Sequence, residues 1–558
     1  MQHRRFFTKM HLVVMSGLLA ACAIPRTPAT LPPSNATIQA TVAAEPLAAA
    51  SQCEQRFVPH GLPFEASIAG PPYEVLDGNG SGLAIGDLND DGLDDLVLGN
   101  LNGPSAILWN QGNLSFRRQS LGDGEIRAVT IVDVEGDGDQ DIVMAHRYQK
   151  PIFWENTGNP NPQQRFVQRA LPDINNEAYT LLWADLEGDG DLDLITGSYD
   201  AELLKYQGLI FQQRGNGVGV FVYSNTDQGY EGVRLAQQSD ALALALADLD
   251  GDGRRDLLVG NDFNRRDMAL LQRPNGWEAV EPFARTTENT MSFDLGDVEN
   301  DGQLEIFAGD MKPRDKSNAT MAAWLPMMKR LTKPLSADDP QYAENVLQVR
   351  MPDGTWKNQG YDRMLDSSGW SWSSKFGDLD NDGFVDMYSV NGMFAKGLFD
   401  HLPNQELVEA NVAFQNDQQG VFHLADQWGL DQRASGRGMS MADLDRDGDL
   451  DIVVNNLNSP AMLLENRLCG GQGVLVDLHW SGTKNQAAIG ATIRLITSVG
   501  VMTREVKSLS GYLSGDTSQV HFGIPQGAAI ERLEIFWPDG QVSFHDGVQP
   551  QTAIRVTR

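Results

Sequence analysis

Seven times along the 558-residue chain an acidic nine-residue cassette falls between two short apolar runs. The copies begin at Asp87 (DLNDDGLDD), Asp133 (DVEGDGDQD), Asp185 (DLEGDGDLD), Asp248 (DLDGDGRRD), Asp297 (DVENDGQLE), Asp378 (DLDNDGFVD) and Asp443 (DLDRDGDLD). Each sets oxygen side chains at positions one, three and five, a glycine at six that permits a sharp turn, and a carboxylate at nine. Such a set can wrap a hard cation that takes about six to eight oxygens. Calcium (Ca2+) is the expected occupant, about seven structural ions in all. The ligands would be Asp87, Asn89, Asp91 and Asp95 in the first cassette, Asp133, Glu135, Asp137 and Asp141 in the second, and Asp185, Glu187, Asp189 and Asp193 in the third. The fourth offers Asp248, Asp250, Asp252 and Asp256, the fifth Asp297, Glu299, Asp301 and Glu305, the sixth Asp378, Asp380, Asp382 and Asp386, and the seventh Asp443, Asp445, Asp447 and Asp451.

An EF-hand opens in the same way but needs helices on both sides and a bidentate Glu at position twelve. Here position twelve is Leu98 in the first copy and Val259 in the fourth, and the flanks (LAIG, LVLG; ALALA, LLVG) read as strands. Clusters of Asp, Asn and Gly are also ordinary turns. Seven copies in one register, each with an acid at position nine, argue for the cation.

Cassette starts lie 46, 52, 63, 49, 81 and 65 residues apart, close to one four-stranded propeller blade each. A second pattern follows most cassettes: ILWNQGNLSF, IFWENTGNPNPQQRF, LIFQQRGNGVGVF and AFQNDQQGVF are expected to supply the third and fourth strands. The last blade has a third strand ending near Asn466 and no fourth after it. Residues 56–63 (RFVPHGLP) resemble the expected fourth strand of the second blade, residues 165–172 (RFVQRALP), so the N-terminal segment should complete blade seven and remove an open sheet edge. Cys53 lies three residues before Arg56 and Cys469 three after Asn466, so the same pairing brings two thiols within disulfide range.

Residues 1–21 carry Arg4, Arg5 and Lys9, then an apolar stretch and small residues, the pattern of a secretory signal too short to span a bilayer. The tetrapeptide Leu19-Ala20-Ala21-Cys22 resembles a bacterial lipobox, which implies cleavage before Cys22, its acylation, and a place outside the cytoplasm on the cell envelope, at the outer membrane or cell surface. Residues 22–52, rich in Ala, Pro and Thr without periodicity, read as a disordered tether. A formal net charge of -32 disfavours nucleic acid and anionic membranes as partners, leaving the lipid anchor as the expected membrane contact. Much of that charge sits in the cassettes, where cations would offset it.

The cassette with its flanking strands resembles the FG-GAP (VCBS) repeats of integrin alpha-chain propellers and of many bacterial surface proteins. The C-terminal segments AAIGATIRL (487–495), REVKSLSGYLSGD (504–516), VHFGI (520–524) and LEIFWPDG (533–540) resemble the ASPIC/UnbV domain, and their order after the repeats is similar to that of the cartilage acidic protein 1 (CRTAC) family. The expected fold is all-β: a seven-bladed β-propeller over 53–470 followed by a small β-sandwich or barrel over 471–558, whose Trp480, Tyr512 and Trp537 read as core.

No nucleophile elbow, P-loop, dinucleotide fingerprint or metalloprotease His pair is present. If each cassette joins strands one and two, the turns after strand two emerge on the opposite face, and there the sequence varies from blade to blade. This crown offers a candidate ligand face of His146, Arg147, Tyr199, Asp200, Asn261, Asp262, Arg265, Asp310, Lys312, Asn391 and Asn456. Insertions at 311–344 and 394–411, with Trp324, Met327 and Met328, would wall it. The sequence therefore reads as an envelope-anchored propeller for adhesion, recognition or scaffolding, with an unknown protein or glycan at the cell surface as partner. The rival reading is an extracytoplasmic carbohydrate-active or other enzyme using the same crown. A third is assembly help for another envelope complex.

Overall fold

The computed structural model describes residues 37–49, 52–70, 74–206, 217–263, 265–331 and 338–558. The signal segment and Cys22 lie outside them. Strand is the dominant regular element of the described residues, and their central body is a propeller of four-stranded antiparallel sheets.

Blade one is Leu83–Gly86, Asp95–Leu98, Ser105–Asn110 and Phe116–Leu121. Blade two is Ile126–Val132, Asp141–His146, Ile152–Asn156 and Phe166–Ala170. Blade three is Thr180–Ala184, Asp193–Gly197, Val220–Thr226 and Gly229–Ala236, and blade four is Ala241–Ala247, Asp256–Asn261, Met268–Arg273 and Gly276–Val280. Blade five is Ser292–Gly296, Glu305–Gly309, Val346–Arg350 and Trp356–Asn358. Blade six is Gly369–Gly377, Asp386–Asn391, Val412–Asn416 and Phe422–Leu424. The seventh sheet joins Ser435–Ala442, Asp451–Leu457 and Ser459–Glu465 to the N-terminal strand Val58–Ala66. Each first strand touches the first strand of the next sheet, and the last touches that of blade one, which closes the ring. Cys53 and Cys469 are joined in a disulfide beside that seam, their Cα atoms 5.6 Å apart.

Inner strands converge on the axis and are almost wholly buried, as in ALALALA of blade four and SGRGMSMA of blade seven, where small residues alternate with larger ones. Blade three departs from the sequence reading. Among the described residues its third strand is Val220–Thr226, preceded by a short helix, Asp200–Tyr206; the LIF stretch expected there begins at Leu209 and lies outside the described residues through 216. The apolar pair that suggested a strand in LIFQQ recurs in VFVY, and VFVY pairs with strand two.

The C-terminal domain is a two-sheet sandwich. One sheet runs Thr41–Pro46, Thr552–Thr557, Gln472–His479, Val520–Ile524, and the other Gly500–Glu505, Thr492–Thr497, Ile530–Phe536, Val542–His545. Val476, Phe522 and Ile554 of the first and Ile493, Leu495 and Ile535 of the second share its core. The stretch read as a structureless tether therefore contains a strand: Thr41–Pro46 pairs antiparallel with Thr552–Thr557 while all six of its side chains stay exposed. Backbone pairing, the Thr41 hydroxyl on Thr557 O (3.3 Å) and a Glu45–Arg446 ion pair hold it without burying an apolar side chain of the strand, so no apolar periodicity marks it in the sequence.

A hairpin, Leu509–Ser510 and Ser514–Gly515, leaves this sandwich and enters the propeller axis. Gly515 pairs with Ala84 and Ser514 with Val129, so the hairpin sits between the first strands of blades one and two. Gly82 faces it so closely that a Cβ there would lie 1.7 Å from the Leu513 carbonyl oxygen, which leaves room for glycine alone. At the tip, Tyr512 is fully buried; its hydroxyl donates to the Asn79 carbonyl (2.9 Å) and lies 3.1 Å from the Tyr179 hydroxyl, and its ring centre is 5.0 Å from that of Trp372. Tyr512 is core, as read, but the core it fills is the propeller channel.

Candidate metal centres and the opposite face

The backbone cradle around the first Asp is the same in all seven copies. One oxygen of the first Asp accepts the backbone N–H of position five and its other oxygen accepts that of the glycine at six, as in Asp443 with Asp447 (3.0 Å) and Gly448 (2.8 Å). The position-nine acid opens strand two and accepts the N–H of position two at 2.8–3.3 Å. In six blades its second oxygen also accepts a backbone N–H from strand three, at 2.7–2.9 Å from Asn110, Asn156, Asn225, Gln272, Asn416 and Asn466. Glu305, one methylene longer, has no such second bond among the described residues.

Those strand-three residues do something the sequence reading missed. Asn110 donates to the carbonyl of Leu444 in blade seven (2.8 Å), Asn156 to Leu88 (3.0 Å), Gln272 to Leu186 (3.1 Å), Asn416 to Val298 (2.8 Å) and Asn466 to Leu379 (2.7 Å). Each acceptor is position two of the preceding blade's cassette. In blade five the Trp356 indole does the same work on Leu249 (3.0 Å), while Asn225 of blade three, among the described residues, donates to Leu192 of its own blade (3.4 Å). A belt of five side-chain amides and one indole thus ties six of the seven cassettes to the next blade. The Asn stands in the quoted motifs (ILWN, IFWEN, AFQN), but its partner lies in another repeat.

Four cassettes bring three carboxylates within 4.8 Å of one another: Asp133, Glu135 and Asp141; Asp248, Asp250 and Asp256; Asp378, Asp380 and Asp386; Asp443, Asp445 and Asp447. These groups fit a hard cation. Burial, opposed by backbone N–H bonds and reinforced by neighbouring carboxylates, pushes Asp141 and Asp193 up to about 9 and Asp95 to about 8. Buried Asp380 Oδ1 has no hydrogen-bond partner. All-oxygen donors around a glycine turn are hard-cation chemistry. Cassette four differs, because Arg273 contacts Asp250 (2.6 Å) and Asp252 (3.2 Å), and Arg254 also contacts Asp252. There an arginine already offsets part of the ligand charge.

The C-terminal domain lies over this face. Lys484 and Asn485 backbone N–H groups donate to Gly190 O (2.8 and 2.9 Å), the Gln486 amide to Gly136 O (3.1 Å), Thr517 to Asp94 (2.8 Å) and Arg255 to Gly490 O (3.2 Å), while His521 Nε2 lies 3.2 Å from Gly448 O. Arg504 Nη2 lies 3.5 Å from Gly383 O of cassette six.

On the opposite face, most of the residues expected to meet a ligand are instead partnered within the protein. Arg147 pairs with Glu202 (2.6 Å), Glu125 (3.5 Å) and Asp77. Tyr199 is buried and donates to Asp262 (2.6 Å), Asp200 accepts from Ser198 (2.7 Å), Val218 and Ser239, and Asn261 accepts the N–H of Asp240 (2.8 Å). Arg265 pairs with Asp240 (2.8 Å), Lys312 with Glu344 (3.1 Å) and Asp366, and buried Asp310 takes three backbone N–H groups. Asn391 donates to Ser368 and Ala410 carbonyls, Asn456 to Pro460 O (3.0 Å), and half-buried His146 accepts the Tyr148 N–H (3.2 Å). Buried turns must satisfy their own backbone, and these side chains do it. The two insertions do pack together: Trp324, on the helix Asn318–Leu331, donates to Glu409 (2.9 Å), and His401 Nε2 lies 2.8 Å from Ala323 O. Beneath them opens a polar cleft of about 440 Å³ lined by Arg314, Asp315, Asn391, Glu409, Asp426, Asp431 and Arg433, of which Asn391 alone was expected at a ligand site.

A family model described as FG-GAP-like repeat matches residues 87–144, 133–196, 248–308 and 405–454, and one described as ASPIC and UnbV matches 481–558. The chain is a β-propeller protein of FG-GAP-like repeats. More particularly, it carries the C-terminal ASPIC and UnbV domain behind them. No curated protein matches it significantly. Among solved structures it is similar to an Agrocybe aegerita lectin described as recognising non-reducing terminal N-acetylglucosamine (14% identity, 68% of this chain and 92% of that one, TM-score 0.36). It is also similar to the rhamnogalacturonan lyase YesW (15%, 74% and 76%, 0.34) and to BBS1N in complex with ARL6DN (8%, 75% and 98%, 0.38). At these TM-scores the likenesses say nothing about activity.

Proposed function

We propose that this protein is a calcium-stabilised binding propeller, held outside the cytoplasm by an acylated Cys22, that engages a protein or glycan partner through the face opposite its cassettes. The cassettes hold calcium in a structural role, and each ion rigidifies the turn that opens strand two. The observation that carries the reading is the placement of the cleft: the C-terminal domain covers the cassette face and fills the channel, while the 440 Å³ cleft opens on the other side. That volume lies in the range of small-molecule sites. The chain's N-terminal approach supports the orientation. Thr37 bridges to Val542 and Thr41–Pro46 edges the C-terminal sheet, so a lipid upstream would hold the cassette side toward the membrane and present the cleft outward.

The test is a glycan and protein binding screen of the soluble chain, run beside a lyase assay, with Arg314→Glu and Arg433→Glu as variants. Durable binding lost in both variants, with unchanged melting, is the expected result. Turnover without durable binding would move the protein to the enzyme class, and full binding by the variants would remove the cleft from the account.

A further inference from the structure

The seven cassettes are not equally open to solvent, and the C-terminal domain makes the difference. In cassette four Asp250 and Asp252 stand exposed, and cassettes one to three each leave at least one ligand position exposed, at Asp91, at Glu135 and Asp137, and at Glu187 and Asp189. In cassettes six and seven no ligand position is exposed. Asp378, Asp386, Asp443, Asp447 and Asp451 are buried there, and Asp380, Asp382 and Asp445 are half-buried.

A wall of glycines closes these two. Gly470 and Gly471 lie on the chain that enters the C-terminal domain, and Gly473 and Gly523 are paired across its first sheet. A Cβ at Gly470 would lie 1.9 Å from the Asp380 carbonyl oxygen, and at Gly471 2.2 Å from that of Asn381. At Gly473 it would lie 1.9 Å from the Gly448 carbonyl oxygen, and at Gly523 2.2 Å from Asp378 Oδ2. None of the four has a positive φ, so close approach, and not backbone conformation, reserves these places for glycine. The sheet backbone rests directly on cassettes six and seven, with no room for a layer of water at these points.

Polar contacts hold the wall in place. The Asn381 amide donates to Gly448 O (3.1 Å), which joins the two cassettes, and His521 Nε2 of the domain lies 3.2 Å from the same oxygen. The Gln551 amide donates to Asp447 O. Arg504 is directed at Asp378, Asp297 and Asp382, so the domain also brings opposite charge to the cassettes it covers. Asp380 Oδ1 and Asn381 Oδ1 are buried at this seam without a hydrogen-bond partner, so the closed side keeps oxygen lone pairs that no protein donor meets.

We propose, resting on the reading of the cassettes as calcium sites, that cassettes six and seven are interdomain sites whose ions the C-terminal domain seals in. Exchange there waits for the domain to lift, whereas cassettes one to four exchange freely. A calcium ion leaves an oxygen cage by trading carboxylates for water, and water reaches the glycine wall only when the sheet moves off it. Lifting the sheet is a sub-global opening, because the same domain is tied to the channel through Tyr512 and the hairpin that carries it.

Equilibrium dialysis of the soluble chain against radiolabelled calcium counts every site, and a desalting column run in excess unlabelled calcium then removes the label that exchanges during the passage. About two labelled ions per chain should stay on the protein through the column while the rest wash away. Asp382→Ala should lower the retained count by about one, and Asp252→Ala should lower the dialysis count while leaving the retained count unchanged. Gly471→Ala, which forces the sheet off cassette six, should let retained label go, whereas Gly61→Ala, whose Cβ meets open space, should not. The aspartate pair decides the matter even where Gly471→Ala fails to fold. Full binding in dialysis with no label retained, or a retained count unchanged in Asp382→Ala, would overturn the sealing and spare the calcium reading; no saturable binding in dialysis would overturn both.

Discussion

Asn110 joins the first blade to the last, and truncating it tests whether the amide belt holds the ring. Its side chain is fully buried and makes three hydrogen bonds: Nδ2 donates to Leu444 O (2.8 Å) and Asp94 O (3.1 Å), and Oδ1 accepts the Gly112 N–H (3.0 Å). Each bond is worth about 0.5–1.5 kcal/mol net, and a buried group left without its partner costs about 1–3 kcal/mol. Asn110→Ala should therefore destabilise by about 2–4 kcal/mol. Asn110→Asp should cost at least as much, because it turns a carboxylate toward two carbonyls. The internal control is Asn225, which sits at the same place in blade three but donates to its own blade at 3.4 Å; Asn225→Ala should cost about 1 kcal/mol or less. Urea unfolding followed by tryptophan fluorescence reads all three. If Asn110→Ala falls within 0.5 kcal/mol of the parent, or matches Asn225→Ala, the belt is not what ties the blades.

The Cys53–Cys469 bond spans 416 residues, for which the chain-entropy relation gives an upper bound of about 5–6 kcal/mol. Cys53→Ser with Cys469→Ser should lower the urea midpoint markedly, and peptide mapping without reductant should recover the linked pair; two free thiols would refute the bond. Tyr512→Phe strips the Asn79 carbonyl of its donor at the channel tip and should cost about 1–3 kcal/mol, read by the same unfolding curve. For His521, burial lowers the pKa to about 4, so below pH 6.5 the unfolded chain binds a proton that the folded chain refuses. Stability from this group is present above pH 6.5 and lost as pH falls, by about 1.5 kcal/mol between pH 6.5 and 5, and His521→Gln should flatten that part of the profile.

What the sequence disclosed was whatever repeats. Seven cassettes in register set the blade spacing, and the likeness of residues 56–63 to 165–172 marked Val58–Ala66 as the strand that closes the ring. Contacts made once, across long sequence distance, left no such trace. Thr41–Pro46 joins a sheet through its backbone, so an Ala- and Pro-rich stretch looked structureless. Tyr512 looked like core in its own domain because nothing local announces the channel it enters. The crown looked like a polar binding surface because Tyr199, Asp262, Asn261 and Asn391 are polar, yet those groups are consumed by the turns and neighbours around them. The cleft was missed because Arg314 and the stretch holding Asp426, Asp431 and Arg433 are far apart in sequence and only the packing of the insertions brings them together.

The central claim is that the cassettes are cation sites on which the fold depends, and a melting curve recorded in excess EDTA and in several millimolar calcium tests it most directly. At calcium about tenfold above Kd each site contributes about 1.4 kcal/mol, so several sites together should raise the melting temperature by many degrees. Asp382→Ala, which removes the fifth-position ligand of cassette six, should forfeit part of that rise. A melting temperature that is the same in EDTA and in calcium would contradict the account.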